Sequence, residues 1–147
     1  KLNIYIGEMA GKALPEAFTC FTLSLDNLSE LTKRFGYTVG DGVLKDFAGL
    51  VQLMGDTEGM RGYNGIGRFV VFFEECSSKK AAAMIRILDN QVEEYNSLNP
   101  EYPIRYTAAW ATTEETDTYE IRELLRLSQK KWKQMEKEKK DKTEEET

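Results

Sequence analysis

Two short stretches concentrate the side chains that can do chemistry. The first is Ser24-Leu25-Asp26-Asn27, where a hydroxyl and a carboxylate close an apolar run. The second is Asn64-Gly65-Ile66-Gly67-Arg68, a glycine-rich turn that ends on a guanidinium. Two glycines at a turn let a ligand's backbone or phosphates come close, because no Cβ stands in the way. The plainer reading is a hairpin tip without a ligand, since Asn-Gly is itself a strong short-hairpin signal whose residues tolerate positive φ. Asp41, inside Gly40-Asp41-Gly42, is a third candidate. Its simplest role is to cap the helix that follows by accepting hydrogen bonds from the first free amides, which leaves a ligand contact open.

What the sequence lacks narrows the chemistry further. There is no histidine. Ser-His-Asp and Cys-His nucleophiles, histidine metal sites and the commonest general base near neutral pH are therefore excluded. A net charge of -5 gives no basic footprint for nucleic acid. Cys20 and Cys76 are far apart and form no CxxC, which suits a reduced, cytoplasmic protein better than a disulfide scaffold. No apolar run is long enough to span a membrane. The chain opens on Lys1 without a signal pattern, so it is expected to be a piece of a longer protein.

The elements that must position these residues follow from periodicity. At 147 residues and 41% hydrophobic content the chain suits one domain with a real core. Residues 2–13 read as a helix that Leu14-Pro15-Glu16 breaks. Residues 18–25 read as a central strand that delivers Ser24 and Asp26 to the end of a sheet. Leu28, Leu31 and Phe35 recur at helical spacing up to Gly36. Val43, Leu44, Phe47, Leu50, Val51 and Met54 share one face of a second helix, and residues 55–59 turn into the hairpin. Its second run, 69–73, is apolar at every position and is expected to be buried on both faces. Ser77 or Ser78 caps a helix through about residue 96, with Met84, Ile85, Leu88, Val92 and Tyr95 inward. A loop with two prolines leads to a strand over 104–112. An Asp117…Glu120 capping pair opens the last helix, with Ile121, Leu124, Leu125, Leu127 and Trp132 inward. From Lys130 lysine and glutamate alternate, which reads as a solvated helix end that frays, and the interleaved acids argue against a basic docking helix.

The order is helix, strand, helix, helix, hairpin, helix, strand, helix. This predicts an α+β sandwich whose mixed or antiparallel sheet is covered by helices. Sites on such sheets gather where strand ends and glycine turns meet, which would bring segment 24–29 beside the turn 64–67.

Three motifs in register resemble the GGDEF (diguanylate cyclase) domain family: Leu25-Asp26-Asn27-Leu28, then Phe35-Gly36-Tyr37-Thr38-Val39-Gly40-Asp41, then Arg61…Gly65-Ile66-Gly67-Arg68-Phe69. The family pattern D-x-D-x-F-K-x-x-N-D-x-x-G-H-x-x-G-D overlays 24–41 without a gap. The resemblance covers about 18–140 and implies a palm-like nucleotidyl-cyclase sandwich with core order β-α-α-β-β-α-β-α. It also implies one GGDEF-like domain over 1–140, entered by a helix or linker at 1–16, with 141–147 as a charged tail.

The resemblance further implies condensation of two GTP molecules, one per subunit of a dimer, into cyclic di-GMP with the use of two Mg²⁺ ions. Here the departures matter. The first metal-binding Asp falls on Ser24, and the GGDEF or GGEEF signature reads Gly-Ile-Gly-Arg-Phe, so its metal ligand falls on Gly67 and the next acid on Arg68. The guanine-reading Asn becomes Thr32, the second guanine contact is kept as Asp41, and a phosphate-binding Lys falls on Glu136. The backbone amides of Asn27, Leu28 and Ser29 remain able to cradle phosphates. The inhibitory RxxD, due at 56–59, is absent.

The expected protein is thus a degenerate, catalytically inactive GGDEF domain with no catalytic and no metal-binding residues, acting as a regulatory or dimerisation module in a bacterial signalling protein. Its partners would be a second GGDEF domain, identical or not, and an upstream sensor domain; the larger protein is open to being membrane-anchored. A nucleotide sensor without turnover is the alternative, with Asn27, Leu28, Ser29, Thr32, Asp41, Gly65 and Arg68 as contacts. An active cyclase, using GTP and Mg²⁺, is the third reading.

Overall fold

The computed structural model describes residues 1–55 and 59–146, without the side chains of 143–146. Its elements are α1 (Leu2–Met9), β1 (Thr19–Leu25), α2 (Leu28–Phe35), α3 (Tyr37–Gln52), β2 (Met60–Tyr63), β3 (Arg68–Phe73), α4 (Ser78–Leu98), β4 (Tyr106–Thr112), α5 (Thr113–Thr116) and α6 (Ile121–Glu146). The strands form one sheet in the order β2-β3-β1-β4, and every neighbouring pair is antiparallel.

Burial explains this order. Every residue of β1 is buried, and so is β3 from Phe69 to Phe73, as strands covered on both faces must be. Their odd-numbered residues (Phe21, Leu23, Phe69, Val71, Phe73) join a core with Leu31, Val43, Phe47, Leu88 and Val92 from α2, α3 and α4. Their even-numbered residues (Cys20, Val70, Phe72) meet Leu2, Tyr5, Ile6, Ile121 and Leu124 from α1 and α6. Burial pushes the Cys20 thiol up to about 12, which keeps it neutral and inert. No described helix is long and apolar enough to cross a membrane.

Several boundaries differ from the sequence reading, each for a local reason. Helix α1 stops at Met9, because Ala10 is already extended. Gly36 ends α2 and starts α3 in a single residue, donating to Thr32 O and accepting from Gly40 N. Asp41 therefore lies in the second turn of α3 and is not its N-cap. In the hairpin, positive φ is found at Gly65 (104°) and Gly67 (75°) but not at Asn64. The tip is closed by Asn64 N–H to Arg68 O and Arg68 N–H to Gly65 O, a wider loop than a two-residue Asn-Gly turn. Asp117 is the left-handed end of α5 and does not cap α6. That task falls to Glu120, whose carboxylate accepts from Arg122 N–H and whose carbonyl accepts from Leu124 N–H. Ser77 caps α4 as expected, accepting from Lys80 N–H. The lysine–glutamate run does not end the helix, since α6 continues to Glu146. Asp56, Thr57 and Glu58 lie outside the described residues, and with them most of the 55–59 turn and the RxxD positions.

Candidate functional site

The end of β1 is built by a match between strand and helix repeats. Thr22 and Ser24 point to the same face, two residues apart on the strand. Ser128 and Trp132 share one face of α6, four residues apart. Both spacings are about 6–7 Å, so each helix side chain meets one strand side chain. Ser128 Oγ lies 2.7 Å from Thr22 Oγ1, and Trp132 Nε1–H donates to Ser24 Oγ at 2.7 Å. Trp132 is thereby fixed at the sheet's edge of the cleft.

Two relayed arms converge on Asp26. Ser24 accepts from Trp132 and donates to Asp26 Oδ1 at 2.6 Å. Thr107, the register partner of Ser24 on β4, donates to Asp26 Oδ2 at 2.5 Å and accepts from Lys139 Nζ at 3.2 Å. Lys139 also donates to Tyr106 O at 2.6 Å, which pins the later part of α6 to β4. On the other flank Arg68 is the register partner of Ser24 on β3. Its guanidinium carbon lies 4.9 Å from the centroid of the Trp132 ring, a cation–π contact. The glycine turn is tied to the same strand end by Leu25 N–H to Gly67 O at 2.7 Å. The expected meeting of segment 24–29 with turn 64–67 is therefore present.

In front of this network is a cleft of about 730 Å³, lined among others by Asp26, Leu28, Ser29, Thr32, Asp41 and Arg68. Of the sequence candidates, Leu28, Ser29, Thr32, Asp41 and Arg68 come together there. Asn27 and Gly65 do not line it. Asn27 is buried, and its side chain clamps the approach to β4, donating to Pro103 O and accepting from Arg105 N–H. Gly65 sits at the outer tip of the hairpin. Thr32 is turned onto its own helix, donating to Leu28 O at 2.9 Å. Asp41 pairs with Lys45 at 3.0 Å, which raises the Lys45 ammonium above its ordinary value. Glu136 also lines the cleft and pairs with Lys140 at 3.5 Å.

Sequence reasoning missed Trp132 as a site residue, having placed it only as an inward apolar position, and missed Thr107 and Lys139 altogether. The four-residue spacing of Ser128 and Trp132 opposite Thr22 and Ser24 was the available signal.

An antiparallel sheet sandwiched by helices, with a glycine turn beside the end of its central strand, defines a palm-like α+β domain. The family model "Diguanylate cyclase, GGDEF domain" matches residues 7–142. The chain belongs to the GGDEF family. Solved structures agree on the fold. The active GGEEF domain of a diguanylate cyclase from Vibrio cholerae is 20% identical with a TM-score of 0.72, the match covering 82% of this chain and 77% of that one. An EAL/GGDEF domain protein from M. capsulatus is 14% identical with a TM-score of 0.71, over 94% and 88% of the two chains. A diguanylate cyclase/phosphodiesterase from Caldicellulosiruptor saccharolyticus is 16% identical with a TM-score of 0.64, over 90% and 81%. No curated protein matches the chain.

Proposed function

We propose that this is a degenerate GGDEF domain that makes no cyclic di-GMP and serves as a regulatory or dimerisation module in a bacterial signalling protein. The observation that carries the reading is the arrangement at the end of β1. Where the family's first metal-binding Asp would stand, Ser24 accepts the Trp132 indole N–H. Where its signature acids would stand, Gly67 offers no side chain and Arg68 offers a cation. Mg²⁺ is held by several hard oxygens in octahedral geometry. The carboxylate at this strand end, Asp26, already accepts two hydroxyls. These residues do not fit the family's metal pair, and no catalytic step is drawn through it.

The framework around the altered site is intact, with both faces of β1 and β3 packed. This supports a fold retained for a task other than catalysis. A homodimer, or a heterodimer with another GGDEF domain, an upstream sensor domain in the full-length protein and a cytoplasmic location belong to the same proposal.

A second reading, nucleotide binding without turnover, is favoured by the cleft itself, which stays open with Thr32 and Asp41 on one wall and Arg68 on another. Calorimetric titration with GTP and Mg²⁺, followed by chromatography for cyclic di-GMP, tests both. The expected result is no product. Saturable heat without product selects the nucleotide-binding form, and absence of both heat and product selects the scaffold. Product formation overturns the proposal.

A further inference from the structure

We infer that the cleft takes a nucleoside polyphosphate in its metal-free form, with the Arg68 guanidinium supplying the positive charge that a divalent cation would otherwise bring. The inference rests on the nucleotide-binding reading above. It is carried by the way charges around the cleft are, and are not, satisfied.

Three acids line the cleft, and each is occupied. Asp26 accepts the hydroxyls of Ser24 and Thr107. Asp41 pairs with Lys45, and Glu136 with Lys140. Arg68 lines the same cleft but forms no ion pair among the described residues. Its partner is the face of Trp132, at 4.9 Å. An aromatic face holds a guanidinium without using its N–H donors, so the planar fork stays available for oxygen. Trp132 is itself anchored by its bond to Ser24, which places the stacked guanidinium in advance of any ligand. Lys33 adds a second cation to the lining.

A fixed fork of this kind suits phosphate oxygens, which it binds in pairs. A free polyphosphate meets attraction from Arg68. A magnesium-loaded one brings part of its charge already neutralised and sets a divalent cation near a guanidinium, where like charges repel. Magnesium should therefore weaken binding, the reverse of a site built on metal ligands.

Trp110 and Trp132 are the two tryptophans of the chain, so Trp110→Phe leaves the indole under Arg68 as the sole tryptophan, excited selectively over the tyrosines. This variant is titrated with GTP in EDTA and again in excess Mg²⁺, with calorimetry in parallel. Saturable emission change in EDTA is expected, with affinity several-fold lower in Mg²⁺. Adding Arg68→Glu should weaken binding in EDTA about 10- to 100-fold, the range for a lost charged hydrogen bond. Arg68→Lys should fall between. Circular dichroism and the thermal midpoint confirm that these exposed-site variants are folded. Binding that requires Mg²⁺, or binding unaffected by Arg68→Glu, overturns the inference and leaves the nucleotide reading standing. Flat emission and flat calorimetry in both buffers overturn the two together.

Discussion

The two ends of β1 use the same residue types for opposite purposes. At its start, Thr19 donates to Cys76 O at 2.6 Å and lies 3.2 Å from Thr112 Oγ1. Thr113 accepts from Phe18 N–H and donates to Pro15 O. These hydroxyl chains finish on backbone carbonyls inside the protein. At the other end Ser24 and Thr107 also relay hydrogen bonds, but theirs finish on the carboxylate of Asp26, beside a cleft and a guanidinium that forms no ion pair among the described residues. A carbonyl terminus can only hold the fold. A carboxylate terminus at a cleft, beside a guanidinium held on an aromatic face, can also respond to a ligand.

The largest effect should come from the closed end. Phe18 is fully buried, its ring 6.1 Å from that of Phe72. Phe18→Ala removes an aromatic side chain from a packed core and is expected to cost about 3–5 kcal/mol in urea unfolding. Arg68→Glu, at the open end, should cost about 1 kcal/mol or less, the worth of an exposed cation–π contact. Equal losses from the two would abolish the distinction between a framework end and a responsive end.

A middle-sized effect is expected where α2 and α3 form the wall of the cleft. A Cβ built on Gly40 would stand 2.3 Å from Thr32 Oγ1 and 3.5 Å from Leu28 Cδ1. Overpacking of this kind costs about 1–3 kcal/mol, and alanine in a helix returns about 1 kcal/mol relative to glycine. Gly40→Ala should therefore lower stability by at most about 2 kcal/mol, and adding Thr32→Ala should recover most of it. A stabilising Gly40→Ala would mean that the close approach of the two helices does not set the position of Thr32 and Asp41.

Much of the fold was legible because two periods are hard to confuse. The unbroken apolar run at 69–73 announced a strand buried on both faces, and the run 18–25, read as a central strand, became β1, buried at every residue. The boundaries that moved did so where one residue serves two elements. Gly36 closes α2 and opens α3 at once, which no composition signal announces, and it turned the Gly40-Asp41-Gly42 stretch from a helix start into helix interior. Of the strand-end and turn candidates, Leu28, Ser29 and Arg68 line the cleft, and Asn27 and Gly65 do not. The stack of Arg68 on Trp132 was not, because it joins residues far apart in sequence through a register between β1 and α6 that only the packed fold sets. The relay from Lys139 through Thr107 to Asp26 likewise depends on packing, here of α6 on β4 and of β4 beside β1.

The smallest effect separates the cap from the cleft wall. An N-cap role for Asp41 would make Asp41→Ala cost about 1 kcal/mol. In the structure Asp41 lies inside α3 and makes a surface pair with Lys45, one turn later, of a kind that contributes little. Alanine is also the better helix former. The unfolding midpoint of Asp41→Ala should therefore stay close to that of the parent. The Lys45 ammonium, held above its ordinary value by Asp41, should fall back toward it in an NMR titration. Combined with Trp110→Phe, the same change gives an independent reading of the cleft through Trp132 emission. Weaker GTP binding with an unchanged midpoint would assign Asp41 to ligand recognition, whereas a lowered midpoint would return it to the helix start that the sequence alone suggested.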